Sequence, residues 1–177
     1  MVPIAAGGLL DTLAERDLAL YAHSVAVGAL ARLLAPELGL DPAVLGPAGE
    51  LHDIGKVAVP ASVLAKRGRL NPSEEAAMRL HTLIGEAMVS DLEAIAPIVR
   101  SSHERWDGLG YPDGLAGEEI PLGARLLAVC DAYQAMREER PYGRVFDHHE
   151  ALAELERCAG TQFDPVVVGT FRAARIG

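Results

Sequence analysis

Residues 41–56 read DPAVLGPAGELHDIGK, and this stretch decides the fold class. Asp41 is a good N-cap and Pro42 suits the first helical position, so a helix starts here. The apolar residues that follow recur at helical spacing, and the helix ends on His52 and Asp53. A carboxylate at the end of an apolar helix needs its charge compensated. Lys56, one of only two lysines in the chain, lies one turn further on. A bound cation is the other way to hold Asp53 charged inside a helical bundle.

Helical periodicity extends outward on both sides. Residues 9–38, LLDTLAERDLALYAHSVAVGALARLLAPEL, read as one or two helices ending near Pro36. Residues 71–92 begin with Asn71 and Pro72, the same start that Asp41 and Pro42 give. Residues 121–139 form a strongly amphipathic helix carrying Asp131. Asp147 and Glu150 have capping-box spacing, and Asp164-Pro165 opens a last helix. Strand signals are poor, with few β-branched alternations. The expected fold is all-α, a single-domain helical bundle over residues 1–177 with one long glycine-rich loop, HERWDGLGYPDGLAGEEIP, at 103–121.

The chain has 177 residues, enough for one well-filled core. Its formal charge of −9 opposes non-specific nucleic-acid binding, so no DNA partner is expected, while a small anionic ligand remains admissible at a local positive site. Cys130 and Cys158 make no disulfide framework and no CxxC pair. The apolar start lacks a basic region, and no run of about 18 uninterrupted apolar residues is present, so neither a signal peptide nor a membrane span is expected. A reducing, cytoplasmic setting is the simplest expectation.

The candidate metal ligands are His23, His52, Asp53, His81, His103 and Asp131. Each lies on an expected helix or at its end. A lone histidine on a helix is usually an ordinary core or surface residue; the set is what carries weight. Imidazole and carboxylate without thiolate favour iron, manganese, zinc or a similar divalent ion. Facing helices of a bundle commonly build dinuclear sites from such side chains.

HDIGK at 52–56 followed by HERWDGLGYP at 103–112 resembles the HD-GYP family of HD-domain phosphohydrolases. IPLGARLLAVCDAYQAM, ERPYG and GTQFDP match its later segments, so the resemblance covers almost the whole chain. It implies a first metal held by His23, His52, Asp53 and Asp131. It implies a second held by His81 and His103, with Asp53 bridging the pair. Iron or manganese come first, with zinc, nickel or magnesium admissible. Lys56 matches the lysine that contacts the scissile phosphate, and Gly110-Tyr111-Pro112 is the naming loop. Arg140 and Arg144 are the candidates for holding substrate phosphate, and Trp106 for stacking on a guanine. Trp106 could equally pack the loop onto the helices. The implied substrate is a cyclic dinucleotide, cyclic di-GMP foremost and cyclic GMP-AMP in related members. A metal pair can activate water for in-line attack on phosphorus.

Three positions depart from the family pattern. Ser102 stands where the family has a second histidine beside His103, which weakens the second site. Ala19 stands where three-metal members carry a carboxylate, and Asp17 lies on a different face, so no third metal is expected. Gly143 replaces the second arginine of the Arg-Pro-Tyr-Arg segment. The leading expectation is a metal-dependent cyclic-dinucleotide phosphodiesterase. Ser102 and Gly143 favour an alternative, a catalytically weakened module acting as sensor or interaction domain. A single-metal nucleotide phosphohydrolase is a third, against which His81 and His103 argue. The loop around Tyr111 is also a candidate surface for a signalling partner.

Overall fold

The computed structural model describes residues 4–138 and 144–174. Among them are ten α-helices and no named strand: α1 (Ile4–Arg16), α2 (Leu18–Leu34), α3 (Pro42–Leu51), α4 (Ala61–Leu64), α5 (Pro72–Arg79), α6 (His81–Met88), α7 (Ala96–Arg100), α8 (Leu122–Arg137), α9 (His148–Arg157) and α10 (Pro165–Ala173). Short 3₁₀ turns span Ala35–Leu38, Ile54–Ala58 and Gly117–Glu119. Among the described residues, extended pairing is confined to isolated bridges, Asp107 with Ala116 and Ala159 with Phe163.

Capping explains where the chain breaks. The run at 9–38 divides at Asp17, whose carboxylate accepts the amides of Ala19 and Leu20 at 3.0 and 3.1 Å and so starts α2. That carboxylate is thereby engaged at the helix end. The run at 71–92 begins with a complete Asn71–Glu74 capping box. It then divides at Leu80, contrary to the unbroken period of its sequence. Here His81 Nδ1 bonds the Met78 carbonyl at 2.7 Å and the Thr82 hydroxyl donates to the Arg79 carbonyl at 3.0 Å. Side-chain bonds of this kind compete with the helical ladder and break it.

The core gathers Val27, Ala31 and Leu34 of α2, Leu45, Ala48 and Leu51 of α3, and Leu126, Leu127 and Val129 of α8. Helix α8 is buried over more of its circumference than an amphipathic surface helix would be, because α2, α7, α9 and α10 all pack on it. Helices α2 and α3 cross in backbone contact. A Cβ on Gly49 would lie 2.7 Å from the Gly28 Cα, and one on Gly28 would lie 2.7 Å from the Gly46 carbonyl oxygen. This crossing sets the histidines of the two helices beside each other, with the His23 and His52 ring centres 5.8 Å apart. Residues Leu18–Leu38 are long and apolar enough to cross a membrane by length and composition alone. Within the bundle this stretch packs through Val27, Ala31 and Leu34, and it carries buried His23.

Candidate metal centre

The buried polar residues of the core include His23, His52, Asp53 and His81, all within 8 % of full burial. His23 projects from α2, His52 closes α3, His81 opens α6, and Asp131 sits in α8. His103 lies in the turn after α7. Asp53 precedes the 3₁₀ turn at Ile54–Ala58 but does not cap it, so its carboxylate is free to face inward. The turn lies flat on α6: a Cβ on Gly55 would come within 2.0 Å of the His81 carbonyl oxygen. Glycine at 55 is thus what allows Asp53 and His81 to meet.

Two triads result, His23–His52–Asp131 and Asp53–His81–His103, each with its ligand atoms within 4.8 Å of one another. His23 Nε2 is 2.9 Å from Asp131 Oδ1. Asp53 stands between the triads, with Oδ2 at 3.3 Å from His52 Nε2 and Oδ1 at 3.3 and 3.4 Å from the Nε2 atoms of His81 and His103. Lys56 Nζ reaches the same Oδ2 at 2.5 Å.

Hydrogen bonding fixes which nitrogen each ring presents. His52 Nδ1 donates to the Gly49 carbonyl and His81 Nδ1 to the Met78 carbonyl, both at 2.7 Å. A carbonyl only accepts, so each Nδ1 carries a proton and each Nε2 is the atom that faces the carboxylates, open to a proton or a metal ion. Both Nε2 atoms are buried without a hydrogen-bond partner. Carboxylates grouped with imidazole nitrogens in a buried site call for a cation, proton or metal, and carbonyl-anchored imidazoles are the usual metal-ligand arrangement. The residues therefore fit divalent metal.

Electrostatics agree. Burial disfavours charge on His52, but Asp53 and Asp131 outweigh it and raise its pKa to about 9. Burial pushes Asp131 upward, but the hydrogen bond from His23 and the field of His52 prevail and bring it to about 2. Asp53 is likewise held well below the carboxylate range against its burial, chiefly by His52 and Lys56. Burial lowers His103. The cluster holds positive charge between its carboxylates, whether as protons or as metal.

The glycine-rich loop closes one side. Tyr111 stacks on His103 with ring centres 5.3 Å apart and planes 15° apart, and the Arg79 guanidinium lies over the Tyr111 ring at 5.1 Å. Glu104 anchors the loop by accepting the amides of Asp113 and Gly114 at 2.7 and 3.0 Å. Gly108 takes positive φ, while Gly110 is needed for its close approach to Glu104 and Arg105. A cleft of about 180 Å³ beside the triads is lined by His103, Arg105, Tyr111, Asp131 and Ser102. The Ser102 hydroxyl donates to the Val99 carbonyl at 2.9 Å. A larger hollow of about 310 Å³ between α9 and α10 holds no histidine.

Other expected site residues lie elsewhere. Trp106 sits under the Arg125 guanidinium at 5.8 Å and so packs the loop onto α8. Arg144 pairs with Glu150 and lies over Phe146 at 6.0 Å, at the start of α9. Arg140 and Gly143 fall outside the described residues. His148, in the first turn of α9, meets the Tyr133 hydroxyl at 2.9 Å. Sequence reading missed Glu138, whose carboxylate oxygens lie 2.9 and 3.1 Å from His23 Nδ1. Its seven-residue spacing from Asp131 was the only available signal.

A model of the HD domain matches residues 9–167. The chain belongs to the HD-domain family, in its HD-GYP branch. This HD-GYP chain is 38 % identical over 172 residues to a cyclic di-GMP phosphodiesterase of Thermotoga maritima, covering 92 % of the chain and 47 % of the relative. It is 45 % identical over 158 residues to a cyclic di-GMP phosphodiesterase of Pseudomonas aeruginosa, covering 85 % of the chain and 38 % of the relative. The HD-GYP chain thus spans less than half the length of these relatives. Among solved structures, a cyclic GMP-AMP specific phosphodiesterase of Vibrio cholerae superposes with a TM-score of 0.70 at 19 % identity, over 96 % of this chain and 47 % of that one. At that identity the likeness establishes the shared fold.

Proposed function

We propose that this domain is a metal-dependent phosphodiesterase that opens a cyclic dinucleotide, cyclic di-GMP foremost, to the linear dinucleotide or on to GMP. The observation that carries the reading is the pair of triads facing each other across Asp53, with two buried Nε2 atoms directed at its carboxylate without a hydrogen bond. The names of the relatives support the substrate class. His23, His52 and Asp131 would hold one ion and His81 and His103 a second, with one Asp53 oxygen toward each. Iron or manganese suits this donor set best. When bound, such ions supply Lewis acidity to a phosphoryl oxygen and to the attacking water.

The chain's own residues do the rest. Asp53 keeps the two halves at fixed separation. Lys56, at the edge of the cluster, turns its ammonium to the phosphoryl oxygens as charge builds there. Tyr111 holds the His103 ring in place by stacking. The cleft beside His103 and Asp131 receives the phosphodiester, with Arg105 on its wall. One P–O bond forms from water, one ester P–O bond breaks, and the leaving oxygen gains a proton.

A second reading, a weakened module that senses its ligand, is favoured by Ser102, whose hydroxyl is turned to Val99 and not to the triads. We further propose that residues 1–177 act as one domain in the cytoplasm. The free thiols of Cys130 and Cys158 fit a reducing compartment. A signalling partner would meet the outer tip of the loop, where Leu109 is 76 % exposed.

The deciding experiment measures metal per chain after anaerobic purification beside hydrolysis of cyclic di-GMP and 3′3′-cyclic GMP-AMP. Two metals and turnover support the enzyme. Tight ligand binding without turnover at saturating metal supports the sensor. Absence of metal at any concentration defeats the phosphodiesterase reading.

A further inference from the structure

His52 and His81 stand at helix ends, where each ring bonds a carbonyl three residues back in its own chain segment. His23 has no such option. It lies inside the 17-residue α2, where the preceding carbonyls belong to the helical ladder. Its Nδ1 must find a partner from elsewhere, and it finds one 115 residues away: Glu138, with both carboxylate oxygens within 3.1 Å. Helix α8 makes this possible. Asp131 and Glu138 are seven residues apart, two turns on one face, and the His23 ring spans the gap between them with Nε2 toward Asp131 and Nδ1 toward Glu138. Glu138 ends the helix in extended backbone, which lets its side chain fold back over the ring.

We propose that Glu138 is the positioning residue of the first triad: it fixes the His23 tautomer with the proton on Nδ1 and aims the Nε2 lone pair at the metal. This rests on the metal-centre reading. A carboxylate behind a ligating imidazole both orients the ring and makes it a stronger donor. Glu138 touches neither substrate nor metal in this role. A mere surface ion pair would lend some stability and leave metal affinity alone.

The test uses the whole chain, stripped and reloaded with cobalt(II) against a chromophoric chelator. Glu138→Ala is expected to weaken the first site by ~10–100-fold, the range for loss of such a partner. Glu138→Gln keeps an oxygen acceptor for Nδ1–H and should lose clearly less. Half-buried Glu154 of α9, paired with Arg157, supplies the control Glu154→Ala, which should leave affinity unchanged. In zinc-loaded protein, imidazole proton–nitrogen spectra should show a shifted His23 Nδ1–H signal in wild type and Glu138→Gln, lost in Glu138→Ala. Equal cobalt affinity in wild type and Glu138→Ala, or an unchanged His23 signal, overturns the role of Glu138 alone. Wild type that binds no cobalt overturns the metal centre and this role together.

Discussion

Asp53 carries two obligations that no other side chain can take over. Its two oxygens face different triads, and Lys56 shares one of them. Asp53→Ala is therefore expected to lose both metals and all hydrolysis, read as metal per chain and turnover. Lys56→Ala should keep its metal and lose ~10²–10³ in single-turnover rate, the usual cost of one transition-state contact. Ser102 borders the cleft beside the triads. Ser102→His should raise occupancy of the second site and hydrolysis with it. Turnover that does not move with occupancy would return attention to Gly143. The six candidate ligands were legible because each belongs to an ordered motif. Glu138 was not legible, since a glutamate at a helix end is ordinary until the fold places it behind a particular ring.

Helix junctions decide how well those side chains meet. Glycine at 55 lets the 3₁₀ turn lie on α6. Gly55→Ala is expected to cost ~1–3 kcal/mol by overpacking, seen in urea unfolding, and to weaken metal binding by parting Asp53 from His81. Unchanged stability would mean that the turn can move without strain. Helix starts were readable wherever Asp or Asn precedes Pro, at 41, 71 and 164, and each proved to be an N-cap. The break at Leu80 was hidden, because residues 71–92 keep an unbroken helical period. It arises from the His81 and Thr82 side-chain bonds, which depend on rotamers that periodicity does not encode. The reach of burial around α8 was hidden for a similar reason: it depends on how many neighbours surround the helix.

Across the whole molecule, protons and metal compete for one buried site. The folded-state pKa of His52 stands at about 9, above its ordinary value of about 6.5. The protonated ring therefore stabilises metal-free protein fully below pH ~6.5, and that contribution is lost as pH rises through 9. Asp131, depressed to about 2, contributes above pH ~4 and fails as pH falls through 2. Metal-free protein should then lose melting temperature between pH 6.5 and 9, while metal-loaded protein holds steady there and its metal affinity rises with pH. Parallel melting curves for the two forms across this window would exclude His52 as the shared site. A further consequence follows from where the ligands sit in the chain. His23 and Asp131 are 108 positions apart, so an ion gripped between them ties a loop that takes in most of the polypeptide. Clips that close long loops restrict the unfolded chain most. Chelation should then be felt as easier opening everywhere, in hydrogen exchange of core amides far from the histidines, and a molecule that has begun to unravel would release its ion before anything else.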